Sequence, residues 1–250
     1  MCGIAGYIGL AQRRYDDAAC LTALSDQLRH RGPDDAGLWF DRERGVGLAH
    51  RRLAILDLSS AGHQPMHSAS GRYVIAFNGE IYNFLELQRE LIGLGHAFRG
   101  NSDTEVMLAC FEQWGLEASF RRFSGMFALA LWDRQEEQLT LARDRAGEKP
   151  LYYGWCGQTF LFGSELKALR RHPDWIGGID PTALNLYFRY TYIPGPHTIH
   201  PGIAKLTPGC YLTVDPKRPG SAAPQHYWSV LEVARAGERE PFEEIGRAHV

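Results

Sequence analysis

The sequence predicts an α+β chain with antiparallel sheets. Segments of strand character come in adjacent runs, segments with helical spacing come in pairs, and no regular βαβ alternation links them. The first strand is read from Cys2 to Leu10, where Gly3 and Gly6 admit close backbone approach. Leu21, Leu24 and Leu28 give a helix over Asp17–Arg29, and Arg31-Gly-Pro-Asp34 ends it in a loop. Strands are expected at Gly45–His50, Arg52–Leu58 and Tyr73–Asn78. Leu87, Leu91 and Leu94 share one face of a helix from Phe84 that Gly95 stops, and a second helix follows over Asp103–Trp114. Met126–Asp133 is apolar almost throughout and reads as a central strand, with further strands at Gln138–Arg143, Leu151–Gly154 and Phe160–Gly163. A short helix over Ser164–Arg170, a helix over Pro181–Tyr190 and a hairpin over Lys205–Val214 complete the reading. Residues 215–225 are rich in Pro, Gly, Ser and Ala, as linkers are.

The composition removes several function classes. Among 250 residues, 44% are hydrophobic and 22% charged, an ordinary globular balance. A net charge of −2 leaves no electrostatic footprint for nucleic acid. No apolar run approaches the roughly 20 residues that cross a bilayer, and the N-terminus lacks the basic and apolar regions of a secretory signal. The five cysteines (Cys2, Cys20, Cys110, Cys156, Cys210) are odd in number, widely spaced and free of any CxxC. That pattern argues against a disulfide framework or a zinc site and suits a reducing cytoplasm. His30, His50, His63 and His67 are dispersed, so no metal is expected. The last residues, Ile245-Gly-Arg-Ala-His-Val250, read like a translated sequencing adapter and are expected to be an artefact; a helix starting at Pro241-Phe-Glu-Glu is the alternative.

Cys2 stands out by position. Removal of Met1 would leave a thiol and a free α-amine on one residue, titrating near ~8.5 and ~8. The amine can serve as general base for its own side chain, directly or through a water. The alternative is a small residue at a strand start. Asn78-Gly79 offers a side-chain NH2 and a backbone N–H that can converge on one oxygen, as an oxyanion hole does; the same dipeptide is also a strong turn signal. Arg52 can grip a carboxylate two-pronged and Asp103 an ammonium, or they form a surface ion pair and a helix cap. Arg143-Asp144-Arg145 with Lys149 is polar amid apolar strands, as a charged hairpin would be.

Nine ordered blocks sharpen these alternatives. They are Met1-Cys-Gly-Ile-Ala-Gly6, Arg29-His-Arg-Gly-Pro-Asp34, Ala49-His-Arg-Arg-Leu-Ala-Ile-Leu-Asp57, Phe77-Asn-Gly-Glu-Ile-Tyr-Asn83, Ser102-Asp-Thr-Glu105, Gly125-Met-Phe-Ala128, Ala142-Arg-Asp-Arg145, Lys149-Pro-Leu-Tyr-Tyr-Gly154 and Phe162-Gly-Ser-Glu-Leu-Lys-Ala168. Together they resemble the N-terminal glutaminase domain of glutamine-dependent asparagine synthetases, a class II amidotransferase. The resemblance implies an N-terminal-nucleophile hydrolase fold, a four-layer αββα sandwich of two antiparallel sheets, over 2–214. It implies Cys2 as nucleophile, Asn78 and Gly79 as oxyanion donors, and a glutamine site of Arg52, Leu53, Ala54, Ile55, Leu56, Asn78, Gly79, Glu80 and Asp103. For Arg143-Asp144-Arg145 with Lys149 it implies, in place of a charged hairpin, a stretch for positioning and an interface. L-glutamine is the implied substrate, with no cofactor in this domain. Residues 215–244 would be a linker and the start of a C-terminal synthetase domain that uses ATP and magnesium. That domain's Ser-Gly-Gly-x-Asp-Ser-Ser loop does not occur in the sequence. An apolar residue is common in the family where Glu148 stands. The nitrogen acceptor stays open between aspartate, a polysaccharide sugar and the phosphoribosyl or fructose-phosphate acceptors of other class II enzymes. A homodimer and a glutamine-binding remnant without catalysis also stay open.

Overall fold

The computed structural model describes residues 1–9, 16–54 and 62–238. Two six-stranded sheets, every strand pairing antiparallel, lie face to face. The first contains β1 (Gly3–Gly9), β2 (Asp35–Asp41), β3 (Val46–Arg52), β8 (Tyr152–Cys156), β9 (Thr159–Gly163) and β10 (Ile203–Lys205), in the order β10-β8-β9-β1-β3-β2. The second contains β4 (Met66–His67), β5 (Tyr73–Ile81), β6 (Gly125–Asp133), β7 (Gln138–Arg143), β11 (Cys210–Val214) and β12 (Gln225–His226), in the order β12-β11-β7-β6-β5-β4.

Side-chain alternation decides what fills each layer. Ile4 and Ile8 of β1 meet Val74 and Ala76 of β5 and Trp132 of β6 between the sheets. Ala5 and Tyr7, on the other face of β1, pack with Leu21 and Leu24 of α1 (Asp17–Asp26) and with Ala168 and Leu169 of α5 (Leu166–Leu169). Tyr73, Ile75 and Phe77 of β5 face helices α2 (Phe84–Gly93), α3 (Asp103–Trp114) and α4 (Leu116–Arg122). The result is the four-layer αββα sandwich, with apolar clusters between the sheets and between each sheet and its helices.

Three expectations are corrected. The strand expected over Arg52–Leu58 does not begin at Arg52: that residue ends β3, and Leu53 and Ala54 follow without regular structure. On its β1 side β3 has no partner beyond Arg51, because β1 begins at Gly3 opposite it, and the β2 ladder ends at Asp35 opposite Arg52. The Leu53 N–H goes instead to Cys2 Sγ and the Ala54 N–H to Asp34 Oδ2. Ile55, Leu56 and the rest of that stretch lie outside the described residues, as do 245–250. Lys205–Val214 is not a hairpin either. β10 pairs with β8 in one sheet and β11 with β7 in the other, so the turn at Pro208-Gly209 carries the chain across the sandwich. Finally, the sheet domain continues past Val214: β12 pairs with β11, and buried Tyr227 donates its hydroxyl to the Arg143 carbonyl at 2.8 Å. β2, β4, α4, β12 and α7 (Val230–Gly237) are elements the sequence reading did not anticipate.

Candidate active site

Cys2, Arg52, Leu53, Asn78, Gly79, Glu80 and Asp103 line one cavity of about 130 Å³ at the end of the sandwich where β1 begins. Strand register brings them together. Cys2 enters β1, Arg52 leaves the adjacent antiparallel β3, and Asn78 lies on β5 in the facing sheet. His50 ties the sheets together just behind the cavity by donating Nε2–H to the Phe77 carbonyl at 2.9 Å. Burial pushes the His50 imidazole down to about 4, so it is neutral at pH 7 and a hydrogen-bonding strut.

Cys2 is half-buried, and the backbone N–H of Leu53 donates to its sulfur at 3.4 Å. Its carbonyl accepts from Arg31 Nε at 2.9 Å. The other cysteines are buried. Desolvation pushes Cys20 and Cys110 up to about 12 and Cys210 up to about 11, which makes their thiolates inaccessible at neutral pH.

The outer edge of β5 explains why Asn78-Gly79 is not a turn. Gly79 pairs with Phe127 in the middle of an uninterrupted ladder to β6. Phe127 directs its own N–H and carbonyl to Asp144 on the far side, so Gly79 directs its N–H away from β6. Two neighbours on that edge are capped by side chains: the Phe77 N–H by Gln64 Oε1 at 2.7 Å, and the Ile81 N–H by Asp103 Oδ2 at 3.0 Å. Between them, no side chain among the described residues takes the Gly79 N–H. Asn78 Nδ2, fully buried beside it, also has no partner. A buried NH2 left unpaired costs about 1–3 kcal/mol, so its persistence marks a place prepared for an acceptor. Any side chain at 79 would strike the Met126 carbonyl, at 2.2 Å from a Cβ, so only glycine keeps β6 this close.

Arg52 lies against Gly62, where a Cβ would come within 2.1 Å of Nη2. Asp103 is buried, caps Ile81 with one oxygen and receives the Thr104 hydroxyl on the other at 3.4 Å. Desolvation raises its carboxyl above the ordinary range, an environment that a bound cation would relieve. Ser102 caps α3 through the Thr104 N–H, so the helix-cap alternative considered for Asp103 falls to its neighbour and leaves Asp103 facing the cavity. Ala54 does not line the cavity.

The family model for the glutamine amidotransferase domain matches residues 1–228. The chain belongs to the glutamine amidotransferase family. It is 39% identical over 216 residues to the glutamine-hydrolysing asparagine synthetase 3 of Bacillus subtilis, covering 85% of this chain and 34% of that protein. It is 32% identical over 266 residues to a putative asparagine synthetase of Methanocaldococcus jannaschii, covering 99% of this chain and 50% of that one. The chain thus spans from about a third to half of the length of these relatives. Among solved structures, the glutamine phosphoribosylpyrophosphate amidotransferase of B. subtilis superposes with a TM-score of 0.64 at 18% identity, covering 91% of this chain and 49% of that one. An allosteric regulatory enzyme of purine biosynthesis superposes at 0.66 with the same coverage. The shared architecture is the N-terminal-nucleophile fold.

In this amidotransferase domain the polar run after β7 divides into different tasks. Asp144 is buried and accepts four backbone N–H groups, from Phe127, Ala146, Glu148 and Lys149, which fold the following loop around it. Arg143 binds the carbonyls of Gly147, Lys149 and Leu206, bridging the sheet crossing. Lys149 is buried and lines the cavity, so it belongs to the site rather than to the surface. Glu148 is exposed beside it. Gln64 and His50 are site supports that the sequence reading missed, since isolated polar residues carry no local signal. Among the described residues no cluster of three His, Cys, Asp or Glu could hold a metal, and no helix is long and apolar enough to cross a membrane.

Proposed function

We propose that this domain hydrolyses L-glutamine to glutamate and ammonia, with Cys2 as nucleophile once Met1 has been removed. The observation that carries the proposal is the pair of unpartnered donors, Asn78 Nδ2 and the Gly79 N–H, in the same cavity as the Cys2 sulfur. The freed α-amine takes the thiol proton, directly or through a water, and sulfur bonds to the glutamine side-chain carbon. The carbonyl oxygen becomes an oxyanion that the two donors receive, at roughly 3–4 kcal/mol for each donor. The carbon–nitrogen bond then breaks, the proton held by the amine passes to nitrogen, and ammonia leaves a thioester. Water adds to the thioester, giving glutamate and restoring the thiol. Arg52 pairs with the α-carboxylate and Asp103 with the α-ammonium, the smallest set that fixes an amino acid at both ends. Leu53 and Glu80 complete the pocket around the substrate.

The second half of the proposal concerns the nitrogen. Relatives named asparagine synthetases support aspartate as the acceptor, with ATP and magnesium used by a synthetase domain outside this chain. The test of the first half is glutamate release by the chain and by Cys2→Ala, with intact-mass measurement of the N-terminus. Loss of at least a thousandfold in Cys2→Ala, in a wild type that lacks Met1, is expected. Hydrolysis by a chain that retains Met1 would sink the mechanism. The second half is tested by supplying aspartate and ATP to the full-length gene product and assaying asparagine; a different aminated product would reassign the acceptor.

A further inference from the structure

We propose that Glu165 is a positioning residue for the nucleophile, acting through Arg31 on the carbonyl of Cys2; this rests on the glutaminase reading above. The start of β1 overhangs its neighbour. β9 ends at Gly163 opposite Ala5, so the backbone groups that Ile4 and Cys2 point to that side have no strand to pair with. The segment after β9 replaces the missing ladder. Ser164 grips Ile4 twice: its hydroxyl accepts from the Ile4 N–H at 3.0 Å, and its N–H donates to the Ile4 carbonyl at 2.8 Å. The next carbonyl along that edge is that of Cys2, and it accepts from Arg31 Nε at 2.9 Å. Arg31 in turn donates Nη1–H to Glu165 Oε1 at 2.9 Å.

Burial separates this pair from a surface ornament. The Arg31 side chain is only 9% exposed, so its guanidinium needs a counter-ion to stay where it is. Glu165 supplies it. His30 and Lys167 also reach Glu165, at 2.9 and 3.1 Å, but both are about half exposed and are expected to add little. After Met1 is removed, no preceding residue constrains Cys2. Its orientation then depends on the carbonyl held by Arg31, the sulfur contacted by the Leu53 N–H, and the ladder at Gly3. Fixing the carbonyl sets the rotation about the Cα–C bond and hence the directions of both sulfur and amine. A displacement of about 1 Å at a reacting atom costs on the order of a hundredfold.

Glu165→Gln retains shape and an acceptor but not the charge; Glu165→Leu removes both. In the 250-residue chain, kcat for glutamine is expected to fall about tenfold in the first and about a hundredfold in the second. KM should stay within about threefold, since neither variant touches the cavity lining. Added to Arg31→Ala, Glu165→Leu should cause no further loss of kcat, because the two act as one unit. An additive loss overturns the proposal. So does an unchanged kcat in Glu165→Leu, or a fall in melting temperature with a rising KM in both variants, which assigns Glu165 to stability alone. If the wild type neither hydrolyses glutamine nor is labelled at Cys2 by a glutamine-like diazoketone, the glutaminase reading fails and takes the positioning role with it.

Discussion

Cys210 has the neighbour usually sought beside a reactive thiol, and among the described residues no histidine hydrogen-bonds to Cys2. Cys210 Sγ lies 3.2 Å from His226 Nδ1, across the β11–β12 ladder. Yet it is fully buried among apolar side chains, its thiol is pushed up to about 11 by desolvation, and it lines none of the cavity that Cys2 shares. Cys2 accepts from a backbone N–H and shares a cavity with Asn78 Nδ2 and the Gly79 N–H. A base alone does not prepare a thiol for acyl transfer. Space for a carbonyl and fixed donors for the oxygen it becomes are what distinguish the two sites.

The comparison breaks most sharply if the two thiols prove alike. A glutamine-like diazoketone should label Cys2 and leave Cys210 unmodified in the folded chain, a selectivity of more than about a hundredfold read by peptide mass spectrometry. Labelling at Cys210 before Cys2 would show that the imidazole outweighs the open cavity. Next in size is Asn78→Ala. It removes one donor without disturbing the ladder of β5, and kcat should fall about 10²–10³-fold with KM little changed. A loss confined to KM would assign Asn78 to ground-state binding and leave Gly79 as the sole donor to the oxyanion.

How far these residues were legible depends on the range of the force that places them. The helix over Asp103–Trp114, the strand over Gln138–Arg143 and the N-terminal strand follow from local periodicity; the first two appear with the expected bounds and the third as Gly3–Gly9. Asn78-Gly79 is different. Its local turn propensity is overridden by pairing along β6 across the whole of a nine-residue strand, a long-range effect that no dipeptide carries. Only the ordered family blocks pointed past the turn. The sheet crossing at Pro208-Gly209 was misread for the same reason, since a turn signal does not say to which sheet the chain returns. Gln64 and His50 were invisible because their partners, Phe77 and Thr104, are distant in sequence. Lys149 was singled out with Arg143-Asp144-Arg145 for positioning or an interface, but that it lines the cavity depends on the loop organised by Asp144, which no local signal shows.

Asp103 sharpens the comparison on the substrate side. Its carboxyl is raised above the ordinary range, first by burial, with Glu80 adding to the effect. A substrate ammonium favours the ionised form, so glutamine should bind better as pH rises through this raised value and worse as it falls below it. Asp103→Asn keeps an acceptor for the Ile81 N–H but loses the charge. KM is expected to rise about 10–100-fold, the worth of one hydrogen bond to a charged group, and its dependence on pH in the acid range should flatten. A variant whose KM keeps the wild-type pH profile would place the ammonium elsewhere, with Glu80 the next carboxylate in the cavity.

The smallest effects are expected at the other thiol. His226 is exposed, and its contact with Cys210 closes the edge of the second sheet rather than a cavity. His226→Ala should leave kcat/KM within about twofold. Cys210→Ser places a hydroxyl in an apolar layer and should lower stability by about 1–3 kcal/mol while the folded fraction keeps its activity. Steady-state kinetics and thermal melts on the same samples separate these outcomes. If His226→Ala instead lowered kcat tenfold at an unchanged melting temperature, proximity of an imidazole would matter more than open donors. The thiol–imidazole pair on β11 and β12 would then belong to the working machinery, and the distinction drawn from the cavity would not hold.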